Sequence, residues 1–217
     1  MILAAGRGQR LAPLTDTLPK PLVEVGGSTL IERHLHRLRD AGITDIVINV
    51  SHLGHLIEAR LGDGQAYGVR IAWSREPDGP LETGGGIARA LPLLGAEAFL
   101  VVNADVWTDC PLRFEQRPAG PAHLVLIPNP PHHPHGDFDL RGSRVTRGTP
   151  HPYTYAGIGV FSPSLFAGRE TRHFPLAPLL FALSAAGQLS GEIHRGRWFD
   201  IGTLERLEAA RTAVGSN

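Results

Sequence analysis

Two hydrophobic patterns take turns along this chain: short, nearly unbroken apolar runs, and stretches with apolar residues at helical spacing. Residues 1–5 form a short apolar run and read as a strand. Over residues 29–41, Leu30, Ile31, Leu35 and Leu38 fall on one helical face, and Gly42 is a stop signal. Residues 45–50 read as a strand, 52–61 as a helix, 69–73 as a strand, 83–94 as a helix and 99–103 as a strand. This rhythm predicts a mainly parallel sheet covered on both faces, with ligands bound beyond the carboxyl ends of its strands. In the second half, residues 122–127 and 153–161 read as strands, separated by a proline- and histidine-rich loop over 128–135. A helix within 176–186, a strand over 188–194 and a terminal helix over 203–214 complete the expectation.

Composition narrows the class. A chain of 217 residues with 42% hydrophobic and 19% charged residues can bury one proper core, and no repeat or linker splits it, so a single domain is expected. A formal net charge of zero gives no broad electrostatic footprint for nucleic acid, although it leaves room for one small anion site. The single Cys110 excludes an internal disulfide and a multi-cysteine zinc site. No apolar run is long enough to span a bilayer, and the first residues lack the basic region of a signal peptide. The expectation is a cytoplasmic protein without membrane or nucleic-acid partners, monomeric or weakly homo-oligomeric.

One compositional detail points to chemistry: Lys20 is the only lysine among 21 basic residues. It follows Gly6-Arg7-Gly8-Gln9-Arg10, placed just after the first strand. Glycines there let the backbone turn sharply and bring N–H groups near phosphate oxygens, while Arg10 and Lys20 could neutralise the outer charges. A dinucleotide fingerprint would need a third glycine where Leu11 stands, and a P-loop would need Ser or Thr after Gly-Lys. Pro13, Pro19 and Pro21 predict a long open loop instead, with the Lys20 backbone held extended by its flanking prolines. The plain alternative is a strand–helix turn with solvated arginines.

Two carboxylates stand at matching places. Asn103 and Asp105 end the apolar run 99–103, and Asp200 lies between a strand and a helix. Two hard oxygen ligands plus substrate phosphates suit Mg²⁺, although each aspartate alone also fits a cap or a turn. Asp109 reads as an exposed loop residue and Cys110 as a packing residue. His132, His133 and His135 have no visible scaffold and read as solvated. Thr83 could cap the helix that begins with Gly84-Gly85-Gly86.

Residues 3–15 and 19–22, Leu-Ala-Ala-Gly-Arg-Gly-Gln-Arg-Leu-Ala-Pro-Leu-Thr and Pro-Lys-Pro-Leu, resemble the signature of the sugar-1-phosphate nucleotidylyltransferases. Asn-Ala-Asp-Val-Trp-Thr-Asp109 and Trp198-Phe-Asp-Ile-Gly-Thr203 carry the resemblance further. It covers nearly the whole chain and looks closest to the compact branch of bacterial cell-wall recycling. It implies a Rossmann-like three-layer fold with a mixed, mainly parallel central sheet, its nucleotide-binding half over 1–110 and its sugar-binding half over 111–217. It also implies Mg²⁺ on Asp105 and Asp200, with Lys20 and Arg10 on the phosphates as catalytic residues. Ala5, Gly6, Gly8, Glu82 and Gly84 would meet the nucleotide, and Asn103, Asp137 and Gly157 the sugar. The implied substrates are UTP and a sugar 1-phosphate, N-acetylmuramate 1-phosphate in that branch. Guanylyl or thymidylyl transfer and a non-catalytic nucleotide-sugar sensor are the other readings. The Glu-Lys-Pro segment of many relatives is missing, and Arg147 is a candidate replacement for its lysine.

Overall fold

The computed structural model describes residues 1–112, 120–169 and 171–215. In chain order its strands are β1 (Ile2–Leu3), β2 (Glu24–Val25), β3 (Ser28–Thr29), β4 (Asp45–Val50), β5 (Arg70–Arg75), β6 (Phe99–Asn103), β7 (Val106–Thr108), β8 (Ala122–Pro128), β9 (Asp139–Arg141), β10 (Arg144–Thr146), β11 (Tyr153–Phe161), β12 (Leu189–Ile193) and β13 (Trp198–Asp200). The helices are α1 (Leu30–Asp40), α2 (Gly54–Leu61), α3 (Glu82–Leu94), α4 (Ala177–Ala185) and α5 (Leu204–Gly215).

Nine strands form one mixed sheet in the order β5-β4-β1-β6-β11-β8-β12-β10-β9. Its first four strands are parallel, as the alternating pattern requires. Strand β11 then enters antiparallel to β6 and carries the sheet into the second half of the chain. Alternation along the strands sorts side chains into two layers. Ile46, Ile48 and Val102 pack with Ile31 and Leu35 of α1 and Ile57 of α2 on one face. Val47, Val101 and Leu124 pack with Ile87 of α3 and Leu180 of α4 on the other. Helices on both faces of a central sheet make the three layers.

A smaller third core lies outside the sheet. Leu11 and Val23 from the proline-rich segment join Trp107 of β7, Ile201, and Leu207 and Ala210 of α5. This core corrects the expected open loop: the segment folds as three short 3₁₀ turns, Gln9–Leu11, Leu14–Asp16 and Lys20–Leu22. Lys20 is therefore turned rather than extended, because Leu22 and Val23 donate their N–H groups back to Pro19 and Lys20.

Helix α1 opens with a capping box between Thr29 and Glu32. Burial alone would raise the Glu32 pKa, but hydrogen bonds from Arg60, Thr29 and Tyr67 bring it down to about 2. On the same helix His34 is fully buried. Burial, with Arg37 nearby, lowers its pKa from 6.5 to about 4. The folded state thus keeps His34 neutral, while the unfolded chain takes up its proton near the usual histidine value. Stability from this residue is complete above the unfolded pKa and is lost as pH falls towards the folded one. In urea unfolding at pH 5.0 and 7.5, His34 should account for about 2 kcal/mol of the stability lost at the lower pH, and His34→Leu should shrink the difference by about that amount.

Candidate active site

The carboxyl ends of the parallel strands open into a cleft of about 580 Å³. Register builds its floor: Leu3 of β1 lies between Asn49 of β4 and Asn103 of β6. Residues Ala5 to Arg10 form one wall, with Lys20, Asp105 and Gly202 beside them, and Glu76, Pro80, Glu82, Thr83 and His173 close the far end. Ala5, Gly6, Gly8, Arg10, Lys20, Glu82, Asn103 and Asp105 therefore meet in one cleft, as the sequence reading expected. Gly8 turns with a φ of 65°, and a side chain there would strike Thr15 and the Lys20 stem. The lysine is thus packed along the glycine turn, and its Nζ donates to Asp105 Oδ2.

Asp200 arrives from the other end of the chain by a two-strand ladder. Strand β13 pairs antiparallel with β7, and Asp200 lies across from Val106. The Ile201 N–H donates 2.8 Å to the Asp105 carbonyl, so the two aspartates flank one turn of ladder. Arg206 Nη1 holds Asp200 Oδ2 at 2.5 Å. Oδ1 is buried without a hydrogen-bond partner. Gly202 is the contact point for two guanidinium groups: a Cβ there would come within 1.9 Å of Arg206 Nη2 and 3.3 Å of Arg10 Nη2. Only a missing side chain admits both. Asp200 Oδ1, approached by His132 Nε2 at 3.0 Å without a hydrogen bond, and the Asp105 carboxylate are hard oxygen donors of the kind a divalent cation takes.

The three glycines opening α3 have separate reasons. A Cβ at Gly84 would lie 2.3 Å from Phe174, and one at Gly85 would lie 2.2 Å from the Arg172 carbonyl. Gly84, expected to touch the nucleotide, is instead buried against Phe174 and does not line the cleft. Residues 172–174 are docked on this helix start, with Gly85 N–H donating to Phe174 O at 3.0 Å and Phe174 N–H to Leu81 O at 3.1 Å. Thr83 does not cap the helix, which begins at Glu82 with no side-chain cap. Glu82 itself adopts a φ of 62° and sits half exposed at the rim, 3.6 Å from His173.

Gly86 exposes two residues that the sequence reading missed. A Cβ there would reach Asn49 Nδ2 at 2.8 Å and Glu76 Oε1 at 2.9 Å. Asn49 Oδ1 accepts the Ala4 N–H at 2.9 Å, and its Nδ2 donates 2.8 Å to Glu76 Oε1. Glu76 Oε2 accepts the Leu81 N–H at 2.8 Å. This buried chain ties the glycine turn to the α3 loop and leaves a fixed carboxylate on the cleft. Asn49, a polar residue inside the apolar run Ile46-Val-Ile-Asn-Val50, was the available signal.

The sugar candidates sit differently. Gly157, with φ 75°, has its open side on Asn103, so it makes room for that amide. Asp137 lies outside the cleft lining; Oδ2 accepts the Tyr155 N–H at 2.9 Å, and Oδ1 meets His133 Nε2 at 3.1 Å. His133 and His132 are therefore not simply solvated, since His132 Nε2 stands 3.0 Å from Asp200 Oδ1. Arg147 does not replace the missing lysine: its guanidinium stacks 3.8 Å over the Phe181 ring. Asp109 is held by His194 at 2.9 Å and lies away from the cleft. Cys110 is buried, as packing requires, and burial pushes its thiol up to about 11.

Residues 1–119 match the family model described as nucleotidyl transferase. The N-acetylmuramate alpha-1-phosphate uridylyltransferase of Neisseria meningitidis serogroup B is 50% identical over 226 residues, spanning 100% of this chain and 98% of the relative. The chain belongs to the sugar-1-phosphate nucleotidyltransferases. A protein of the same description from Caulobacter vibrioides is 35% identical, with 99% and 96% covered. A Bacillus anthracis structure described as a glucose-1-phosphate thymidylyltransferase shares the fold, with a TM-score of 0.88 and 20% identity over 100% of this chain and 94% of that one. Members of this family transfer a nucleotidyl group to a sugar 1-phosphate, and the mixed α/β architecture found here is theirs. No helix among the described residues is long and apolar enough to cross a membrane.

The buried Asn49–Glu76 chain makes Gly86 the most demanding position of the α3 loop. Gly86→Ala should lower stability by roughly 1–3 kcal/mol, because two hydrogen-bonded groups must part to admit the methyl. Urea unfolding measures the loss, and calorimetric titration should show weaker nucleoside triphosphate binding by the same variant.

Proposed function

We propose that this nucleotidyltransferase takes UTP and N-acetylmuramate 1-phosphate, works with Mg²⁺, and releases pyrophosphate with the UDP-sugar. The observation that supports the reading is Lys20 paired with Asp105 in the cleft, with Asp200 brought alongside the Asp105 turn by the β7–β13 ladder. The choice of uridylyl and of this sugar is supported by the full-length similarity to the Neisseria enzyme.

The chemistry follows from the residues. A sugar phosphate oxygen attacks the α-phosphorus of the nucleotide in line. It is already anionic near neutral pH, so no general base is needed, and catalysis is positioning and charge neutralisation. Backbone N–H groups of the Gly6–Gly8 turn cradle the phosphates. Lys20, aimed by Gly8 and Asp105, stabilises charge between the α-phosphate and the incoming phosphate. Arg10, held beside Gly202, retains the leaving pyrophosphate. Asp105 and Asp200 would hold the Mg²⁺, which supplies positive charge to the phosphate oxygens when bound. At the far end, Glu76 is better placed than Glu82 to accept the uracil ring N–H, since Glu76 is buried and fixed from two sides.

A matrix of nucleoside triphosphates against sugar 1-phosphates, with pyrophosphate release as readout, tests the substrates. UTP with N-acetylmuramate 1-phosphate should give the highest kcat/KM, and a higher value for GTP or dTTP would overturn the base assignment. Removing the divalent cation with EDTA should abolish turnover, and added Mg²⁺ should restore it. Lys20→Ala should lower kcat by about 10²–10³, the usual loss for one charge-stabilising contact. Near-normal kcat in a folded Lys20→Ala protein would sink the mechanism.

A further inference from the structure

The loop that joins β8 to β9 lies outside the lining of the main cleft, and the family resemblance accounts for its Asp137 but gives no role to its histidines. It is proline-rich yet firmly built. Asn129 Nδ2 donates to the His151 carbonyl at 2.7 Å and to the Pro134 carbonyl at 3.0 Å, and its Oδ1 accepts from Thr154 Oγ1 at 3.0 Å. Two tight turns follow, His133 N–H to Pro130 O at 2.9 Å and Gly136 N–H to His133 O at 3.2 Å. Gly136, with φ 58°, lies so close to Asn129 and the His151 carbonyl that no side chain fits. This scaffold delivers neighbouring histidines to two different carboxylates, His132 to Asp200 and His133 to Asp137.

The two contacts differ in kind. His133 Nε2 makes a hydrogen bond to Asp137 Oδ1, and the Tyr155 N–H takes the other oxygen. A carboxylate has about four acceptor positions, so Asp137 is fixed in orientation with capacity left for hydroxyl donors. His132 Nε2 stands 3.0 Å from Asp200 Oδ1 but makes no hydrogen bond to it. The His132 donor is therefore not spent there. Four arginines of the second half have partners of their own: Arg147 the Phe181 ring, Arg141 Asp139, Arg197 Asp109, and Arg206 Asp200 itself.

A sugar 1-phosphate must bring a dianion next to Asp105 and Asp200, where carboxylates repel it, so it needs a donor on its own side of the metal carboxylates. We propose that the loop 129–137 is the acceptor clamp of this enzyme, with His132 donating to the sugar 1-phosphate and His133 as a positioning residue that turns Asp137 towards the sugar hydroxyls. The inference rests on the nucleotidyl-transfer reading of the site but not on the identity of the sugar.

Steady-state kinetics on His132→Ala, His132→Gln and His133→Ala, with the sugar phosphate that the wild type prefers, test it. His132→Ala should raise the sugar 1-phosphate KM roughly ten- to hundredfold, as expected for loss of a hydrogen bond to a charged group, while the UTP KM stays within about twofold. His132→Gln, which keeps a donor, should recover part of the loss. His133→Ala should raise the same KM with little change in kcat. Unchanged melting temperatures would separate these effects from unfolding. An unchanged sugar phosphate KM in His132→Ala, or a UTP KM rising in step with it, would overturn the proposal. Preference of the wild type for a different sugar would revise the substrate reading alone, because the histidine variants would still be scored on that sugar.

Discussion

Two strands of three residues each hold the candidate active site together. Val106–Thr108 and Trp198–Asp200 pair antiparallel outside the main sheet, and their register decides that Asp200 comes to rest beside Asp105. Neither strand could be stable alone, since an isolated two-stranded ribbon is marginal in water. Here it is gripped from several sides. Trp198 Nε1 donates to the Ala156 carbonyl at 3.0 Å, Thr108 Oγ1 to the Arg197 carbonyl at 2.8 Å, and Arg37 to the Cys110 carbonyl. The Arg33 guanidinium stacks 4.2 Å over Trp107. If the ladder slipped by one residue, side chains would change faces and the carboxylate pair would be lost.

The third core explains how a loop with three prolines can position Lys20 on the cleft. Leu11 and Val23 bury themselves against Trp107, Ile201 and α5, so the 3₁₀ turns between them are fastened to the ribbon that carries both aspartates. Lys20, Asp105 and Asp200 are thus supported by one small apolar cluster rather than by three separate walls. The partly buried ion pair of Lys20 with Asp105 keeps two opposite charges together where burial would penalise either alone.

Glycine is used at this site for close approach as much as for turning. Gly202 admits Arg10 and Arg206, Gly157 admits Asn103, and Gly84 to Gly86 admit the 172–174 segment and the Asn49–Glu76 pair. At each place a methyl group would occupy space already taken, by the Phe174 ring at Gly84 and by polar groups at the others. The same tight packing keeps Gly84 off the cleft, while Glu76 lines it.

The sequence by itself determined the alternating strands and helices, the parallel half of the sheet and the residues of the glycine turn, because these depend on periodicity and on neighbours close in the chain. The pairing of Asp105 with Asp200 was legible only through the likeness of their motifs to a family. Glu76 and Asn49 were not legible as cleft residues, nor His132 and His133 as partners of Asp200 and Asp137: a buried glutamate and a pair of loop histidines look ordinary until the partners that hold them are known. Lys20 does line the cleft, but not on an extended backbone: it opens a 3₁₀ turn, and its side chain packs along Gly8 and reaches Asp105. Only the tertiary structure decided which polar groups face one another, because hydrogen bonds and ion pairs between residues 85 or more positions apart leave no local pattern in the chain.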